Sequence, residues 1–302
     1  MARKLSIGFE IECLVVGPHI PISNAGQCWQ LIVDTINFTT LHMAKRSEGA
    51  YDPCEKRWIV MNDISIHPKA MNQCPMELIS PPLEDLPGMQ IPAPSTGGGW
   101  EKAIEEVIEA VKKIDGITLE TNESTALHVH IGPGIQGTWT IKHLRKIALL
   151  FVLREGQMDM RFPPERSDPS NVRTQRYIKS MRKSATCRDL TNEQLGHKIL
   201  TATDWISLSE LINPDSSWLS SYSRNYKVNF TAVGRHGTVE FRQHAGTAEA
   251  TRIIEWGKTL LSLVRMAVRT DEDTLLKMCL SDITLVDLIG VAQQTEKFLD
   301  SD

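Results

Sequence analysis

The 302-residue chain predicts an α+β fold, with one curved, mainly antiparallel sheet and helices on its outer face. Three observations lead there. Short segments with strict apolar–polar alternation recur along the chain. Segments with apolar residues at helical spacing separate them. Late in the chain, "NYKVNFTAV" and "GTVEFRQHAG" alternate on either side of "GRHG", which reads as a hairpin turn and therefore as antiparallel pairing. Residues 1–302 read as a single domain, with a helical C-terminal part from about residue 271.

The first strand covers 5–15. Within it, "SIGFEIEC" puts Ile7, Phe9, Ile11 and Cys13 on one face, and Ser6, Gly8, Glu10 and Glu12 on the other. Two carboxylates about 7 Å apart then share a face. Taken alone, that pattern is a solvated edge strand. "RWIVMNDISI" (57–66) and "PMELIS" (75–80) read as further strands. Residues 82–99 are rich in proline and glycine and read as a loop. From Trp100, "WEKAIEEVIEAVKKI" has the spacing of a helix of about fourteen residues. "ALHVHIG" (126–132) is a strand, 140–160 one long amphipathic helix, and 161–176 a polar, broken stretch. "TAEATRIIEWGKTLLSLVRMAVR" is a helix, and two short helices complete the chain.

Bulk composition narrows the function. Hydrophobic residues at 41% and charged residues at 23% suit a soluble globular protein. A formal charge of -4 offers no basic footprint for nucleic acid or a membrane surface. No run approaches the roughly 18 apolar residues of a span, and carboxylates interrupt the N-terminal apolar run, so a cytoplasmic location is expected. The six cysteines show no C-x-x-C spacing, which argues against a zinc ribbon or a redox pair. They read as small apolar fillers.

The pattern of the first strand recurs. His128 and His130 share a face opposite Leu127, Val129 and Ile131. Glu240, Arg242 and His244 oppose Val239 and Phe241; Lys227 and Asn229 oppose Val228 and Phe230; Glu77 opposes Met76 and Leu78. Each pattern alone has an ordinary explanation: His-x-His is common, and Glu240-x-Arg242 is most often an ion pair. Together they describe polar strand faces loaded with ligands for hard and borderline metals. Several carboxylates on one face repel unless cations are present. An arginine beside them then asks for an anion that the metals also touch, and a polyphosphate meets both demands.

"GFEIE", "WIVMNDISI", "MELISPPL", "LHVHIG", "NYKVNF" and "GTVEFRQHAGT" occur in the order found in amidoligases. From about residue 5 to 265 the chain resembles that family of ATP-dependent carboxylate–amine ligases with a glutamine synthetase-like fold. The resemblance implies ATP and two magnesium sites (manganese being an alternative ion), and small-molecule or peptide carboxylates and amines as substrates. It implies Glu10, Glu12, Glu77, His128 and Glu240 as metal ligands. Arg242 would grip phosphate, with Glu10 and Glu240 beside it in catalysis, and His130 and Asn229 would lie near the nucleotide. Asp63 resembles a substrate- or metal-side group. Two departures are visible. The chain opens directly at the catalytic strand, so the ring oligomer of glutamine synthetase does not carry over. Asp63-Ile64-Ser65 also stands where the family has Asp-Gly-Ser.

The implied activity is amide formation through an acyl phosphate, with ADP and phosphate released. Phosphotransfer to a guanidino group is a second reading within the same fold. A zinc hydrolase using His128 and His130 is a third, and leaves Arg242 without a task. A noncatalytic binding protein is a fourth, against which the full ligand set argues. "TGGGWEK" lacks the order of a phosphate-binding loop and reads as a helix entry.

Overall fold

The computed structural model describes residues 4–17, 25–47, 55–85, 99–168, 170–214 and 224–299. Most of the loop expected over 82–99, and Cys54, lie outside them. The strands are β1 (Leu5–Val16), β2 (Ala44–Arg46), β3 (Trp58–Met61), β4 (Gln73–Ile79), β5 (Leu83–Asp85), β6 (Thr118–Glu120), β7 (Ala126–Gly132), β8 (Val228–Asn229) and β9 (Val239–Ala245). They form an open sheet in the order β2-β3-β4-β1-β7-β9-β8, with β5 and β6 pairing with β1 off that path. The helices are α1 (Ala25–Thr39), α2 (Trp100–Lys112), α3 (Ile141–Leu153), α4 (Glu155–Asp159), α5 (Val172–Tyr177), α6 (Asn192–Leu200), α7 (Trp205–Ile212), α8 (Ala232–His236), α9 (Ala250–Arg269), α10 (Glu272–Leu280) and α11 (Leu285–Leu299). The fold is therefore α+β, as the alternation predicts. The sheet is mixed, because β2 and β3 run parallel while β1–β4, β3–β4, β1–β6 and β8–β9 are antiparallel. Among the described residues, no helix is long and apolar enough to cross a membrane.

The chain divides into two compact units, each discontinuous in sequence. A β-rich unit comprises 6–129 and 244–257; a helix-rich unit comprises 1–5, 130–243 and 258–302.

In the β-rich unit, β1 buries Ile7, Phe9, Ile11 and Cys13 almost completely. Phe9 stacks on Trp100 at the start of α2, with ring centroids 5.5 Å apart. The β1–β4 ladder stops for a chemical reason. Pro81 and Pro82 have no N–H to donate. Ser80 closes the ladder instead: its N–H donates to Phe9 O at 2.8 Å, and its Oγ accepts from Phe9 N at 2.9 Å. That clamp sits one residue from Glu10 and fixes its register. Gly257 of α9 lies against the same aromatic pair, where an added Cβ would stand 2.8 Å from the Trp100 ring and 3.1 Å from Phe9. Gly257→Ala gains about 1 kcal/mol of helix propensity. It also overpacks two rings that cannot swing aside, at about 1–3 kcal/mol. Net destabilisation of about 1 kcal/mol is expected in urea unfolding, and a stabilised variant would contradict the close packing.

In the helix-rich unit, α3 buries Leu144 and the run Ile147–Val152. The single helix expected over 140–160 divides at Arg154, whose backbone leaves helical geometry at φ -104. Its guanidinium instead donates from Nη2 to Met278 O (2.6 Å) and Ser281 O (2.8 Å) at the end of α10.

Other expectations are corrected locally. The strand expected over 57–66 ends at Met61, because Asp63 Oδ1 accepts the Ser65 N–H at 2.6 Å and turns the chain. The broken stretch 161–176 holds a short 3-10 turn at Pro164–Arg166 and α5, which Asn171 caps by accepting from Arg173 N at 2.9 Å. β8 and β9 do pair antiparallel, but "GRHG" is no tight hairpin turn. It falls in α8 and in Gly237, which ends that helix at φ 70. β2, β6, α1, α6 and α7 lack counterparts in the sequence reading, and β5 is a short strand within the stretch read as a loop. The five described cysteines are buried and free. Burial pushes the Cys13 thiol up to about 12 and the Cys279 thiol up to about 11, so neither is a nucleophile near neutral pH.

Candidate functional site

The β-rich unit gathers four of the five expected metal ligands. The β1–β4 register sets Glu12 directly opposite Glu77. Facing side chains in an antiparallel pair start only about 5 Å apart, so the backbone itself forces these carboxylates together. Both are buried, at 2% and 8% exposure. Asp63, on the turn after β3, joins them: Glu12, Asp63 and Glu77 each offer an oxygen within 4.8 Å of the others. Its loop is pinned from two sides. His67 N–H donates to Ser124 Oγ at 2.8 Å, and Asn122 Nδ2 donates to His67 O at 3.0 Å.

Glu10, Glu77 and His128 form a second set with ligand atoms within 4.8 Å of one another. His128 is buried, with Leu127 and Val129 beside it fixing its strand. Its Nδ1 lies 3.0 Å from Glu10 Oε2, and its Nε2 lies 3.7 Å from Glu12 Oε1. Glu77 belongs to both sets. These donors are carboxylate oxygens and one imidazole, with no thiolate. Such a set suits magnesium or manganese, which prefer oxygen, better than the nitrogen- and sulfur-rich tetrahedron of structural zinc.

The helix-rich unit holds the arginine. The β8–β9 register pairs Asn229 with Glu240. Asn229 Oδ1 accepts from Thr231 N (2.9 Å) and Thr231 Oγ1 (2.6 Å), which fixes the amide's orientation. Its Nδ2 then donates to Glu240 Oε2 at 2.6 Å. Arg242 Nη1 donates to the other oxygen, Oε1. Glu240 is thus buried and held at both oxygens. His130 Nδ1 lies 2.8 Å from Thr238 Oγ1, and its ring meets His236 edge-on at 5.7 Å.

Lys227 shares a strand face with Asn229 by sequence, but its ammonium is taken up elsewhere. It is buried and lies 2.5 Å from Asp159 Oδ2 and 3.4 Å from Glu155 Oε1. Glu155 also accepts from Ser180 Oγ and from Met181 N. Lys227→Met leaves the buried Glu155 and the half-buried Asp159 without their cation, and a loss of about 3–5 kcal/mol is expected in chemical denaturation. A loss under 1 kcal/mol would mean that water already screens the pair.

Three residues that sequence reading missed support the site. Arg166, from the broken stretch, is buried and donates from Nη2 to Arg242 O at 2.6 Å and from Nε to Gln243 O at 3.2 Å. It fixes the backbone that carries Arg242. Thr238 orients His130, and Thr231 orients Asn229. Extending the alternation of β9 back by one step puts Thr238 on the face of Glu240 and Arg242. Arg166 has no such signal, because nothing local distinguishes it from the other arginines of its stretch.

The described strands carry buried acidic and imidazole groups in one unit and a buttressed arginine in the other, the kinds of group that handle charged ligands. Residues 3–264 match the family described as "Putative amidoligase enzyme", and the chain belongs to that family. Every site residue above falls within the match. A search of curated proteins found no relative.

Proposed function

We propose that the protein is an ATP-dependent carboxylate–amine ligase with a glutamine synthetase-like catalytic fold. Family membership supports amide-bond formation. The observation that carries the rest is the buried Glu12–Glu77 pair with Asp63 beside it, since apposed buried carboxylates call for divalent cations. Glu10, Glu12, Glu77 and His128 would hold magnesium, with Glu240 as a further ligand and Asp63 on the substrate or metal side. Bound there, the cations would neutralise phosphate charge.

The protein's own groups position the reactants. Arg242 receives the γ-phosphate, Asn229 and Arg166 hold Glu240 and Arg242 in place, and His130 acts on the nucleotide side. The substrate carboxylate attacks the γ-phosphorus and ADP leaves. The amine then attacks the acyl carbon, and phosphate leaves with one oxygen of the original carboxylate. No side-chain nucleophile takes part, in keeping with the raised thiols of Cys13 and Cys279.

ADP release measured against panels of carboxylic acids and amines tests this reading. Carboxylate oxygen label should appear in the released phosphate. Formation of AMP and pyrophosphate would mean adenylation, and would remove the γ-phosphate role given to Arg242.

A further inference from the structure

Glu12 and Glu77 stand on a ladder, so strand pairing places their carboxylates. Asp63, the third member of their set, has no such support. It lies on the connection 62–72 between β3 and β4. A carboxylate on a connecting segment is only as well placed as that segment is anchored. The turn itself is closed locally. Ser65 N–H donates to Asp63 Oδ1 at 2.6 Å, Ile66 N–H donates to Asp63 O at 3.2 Å, and the Ile66 side chain is buried.

The next residue is gripped by the turn between β6 and β7, and both of its backbone polar groups are taken up by side chains. Ser124 Oγ accepts from His67 N at 2.8 Å and donates to Asn122 Oδ1 at 2.6 Å. Asn122 Nδ2 then donates to His67 O at 3.0 Å and closes the ring. The ring reproduces the exchanged N–H and C=O bonds of a strand pair, here between two connecting segments. Asn122 Oδ1 also accepts from Ser124 N at 2.8 Å, which fixes the orientation of the amide, and Ser124 is buried. Thr125 stiffens the same turn. Its N–H donates to Asn122 O at 3.0 Å, its Oγ1 accepts from Asn122 N at 3.1 Å, and its carbonyl accepts from Gly246 N at 3.0 Å. The exposed Lys69–Glu123 ion pair between the segments adds little.

We propose that Asn122 and Ser124 are positioning residues for the Glu12–Asp63–Glu77 cation site, acting through Asp63. The inference rests on the cation-binding part of the proposed function. Groups that orient a metal ligand commonly set affinity by about tenfold or more. Calorimetric titration of the full chain with manganese, in the absence of nucleotide, tests it. Asn122→Ala and Ser124→Ala should each weaken manganese binding about tenfold, and Ser124→Thr, which keeps the hydroxyl, should restore it. Asp63→Asn should weaken binding at least as much. Adding Ser124→Ala to Asp63→Asn should then cost nothing further, because the residue acts through a carboxylate already removed. Unfolding curves in chelator confirm that each variant is folded. Wild-type affinity in both alanine variants would overturn the inference and leave the cation site standing. An equal further loss in the Asp63→Asn background would also overturn it, since a merely structural role lowers affinity whatever occupies position 63. Unchanged affinity in Asp63→Asn would remove Asp63 from the site and the inference with it. A wild-type protein that binds no manganese would overturn both the cation site and the inference.

Discussion

Under the proposed function, Arg242→Lys is expected to lower turnover about a hundredfold or more, while ATP affinity changes little. The substitution keeps the positive charge and removes the planar fork. Arg242 uses Nη1 on Glu240 Oε1, and its backbone oxygen is held by Arg166. The arginine is therefore held in place by protein groups alone, which, if it receives phosphate as proposed, is the condition under which a donor contributes most to a developing charge. A lysine can still reach Glu240 as an ion-pair partner. Turnover equal to wild type would thus show that Arg242 serves only the local pair with Glu240. Steady-state kinetics with the ATP concentration varied separates the two outcomes, and circular dichroism confirms the fold.

Glu77→Gln should abolish turnover and yet raise the stability of the metal-free protein. Glu77 faces Glu12 across the ladder, and both are buried. Like charges in direct opposition cost up to about 1 kcal/mol even on ordinary sheets. Removing one charge should lift the melting temperature in chelator by about 2 °C. The same change removes a ligand shared by both cation sets. The stabilisation that magnesium gives the wild type, which follows mass action, should shrink or vanish. Glu10→Gln should likewise abolish turnover with the fold intact. If Glu77→Gln melts lower than wild type in chelator and keeps its magnesium shift, the apposed pair is not a cation site. A variant that is more stable but inactive would show a functional site maintained against folding stability.

The parts of the fold that were legible in sequence are those governed by local alternation. β1 shows its two carboxylates at the spacing that two-residue periodicity requires, and β7 shows His128 and His130, and β9 Glu240 and Arg242, in the same way. The antiparallel return of β9 on β8 was also visible. Features decided by side chain–backbone hydrogen bonds were not. Asp63 ends its strand by accepting the Ser65 N–H, and Asn229 turns the chain by accepting the Thr231 N–H. The sequence reads Asn229 by strand face and Asp63 inside a longer strand, although either side chain can compete with a ladder. Arg154 divides a helix for carbonyls more than a hundred residues away. Helical periodicity carries no trace of such a distant partner. The resemblance implies Glu10, Glu77 and His128 as metal ligands without placing the three in one set, and the direct opposition of Glu12 and Glu77 needed the strand register.

The discontinuity of the β-rich unit has a consequence for biosynthesis. Residues 6–129 leave the ribosome long before residues 244–257, and 130–243 emerge between them. At ordinary elongation rates that interval lasts on the order of ten seconds. Throughout it, the nascent chain carries Phe9 and Trp100 without the Gly257 segment that later packs against both rings. Vectorial folding therefore cannot finish the β-rich unit first and move on to the next. Arrested nascent chains ending shortly before residue 244 should be sensitive to protease within 6–129 and engaged by holding chaperones. Chains extended well past 257 should gain protection in a single late step.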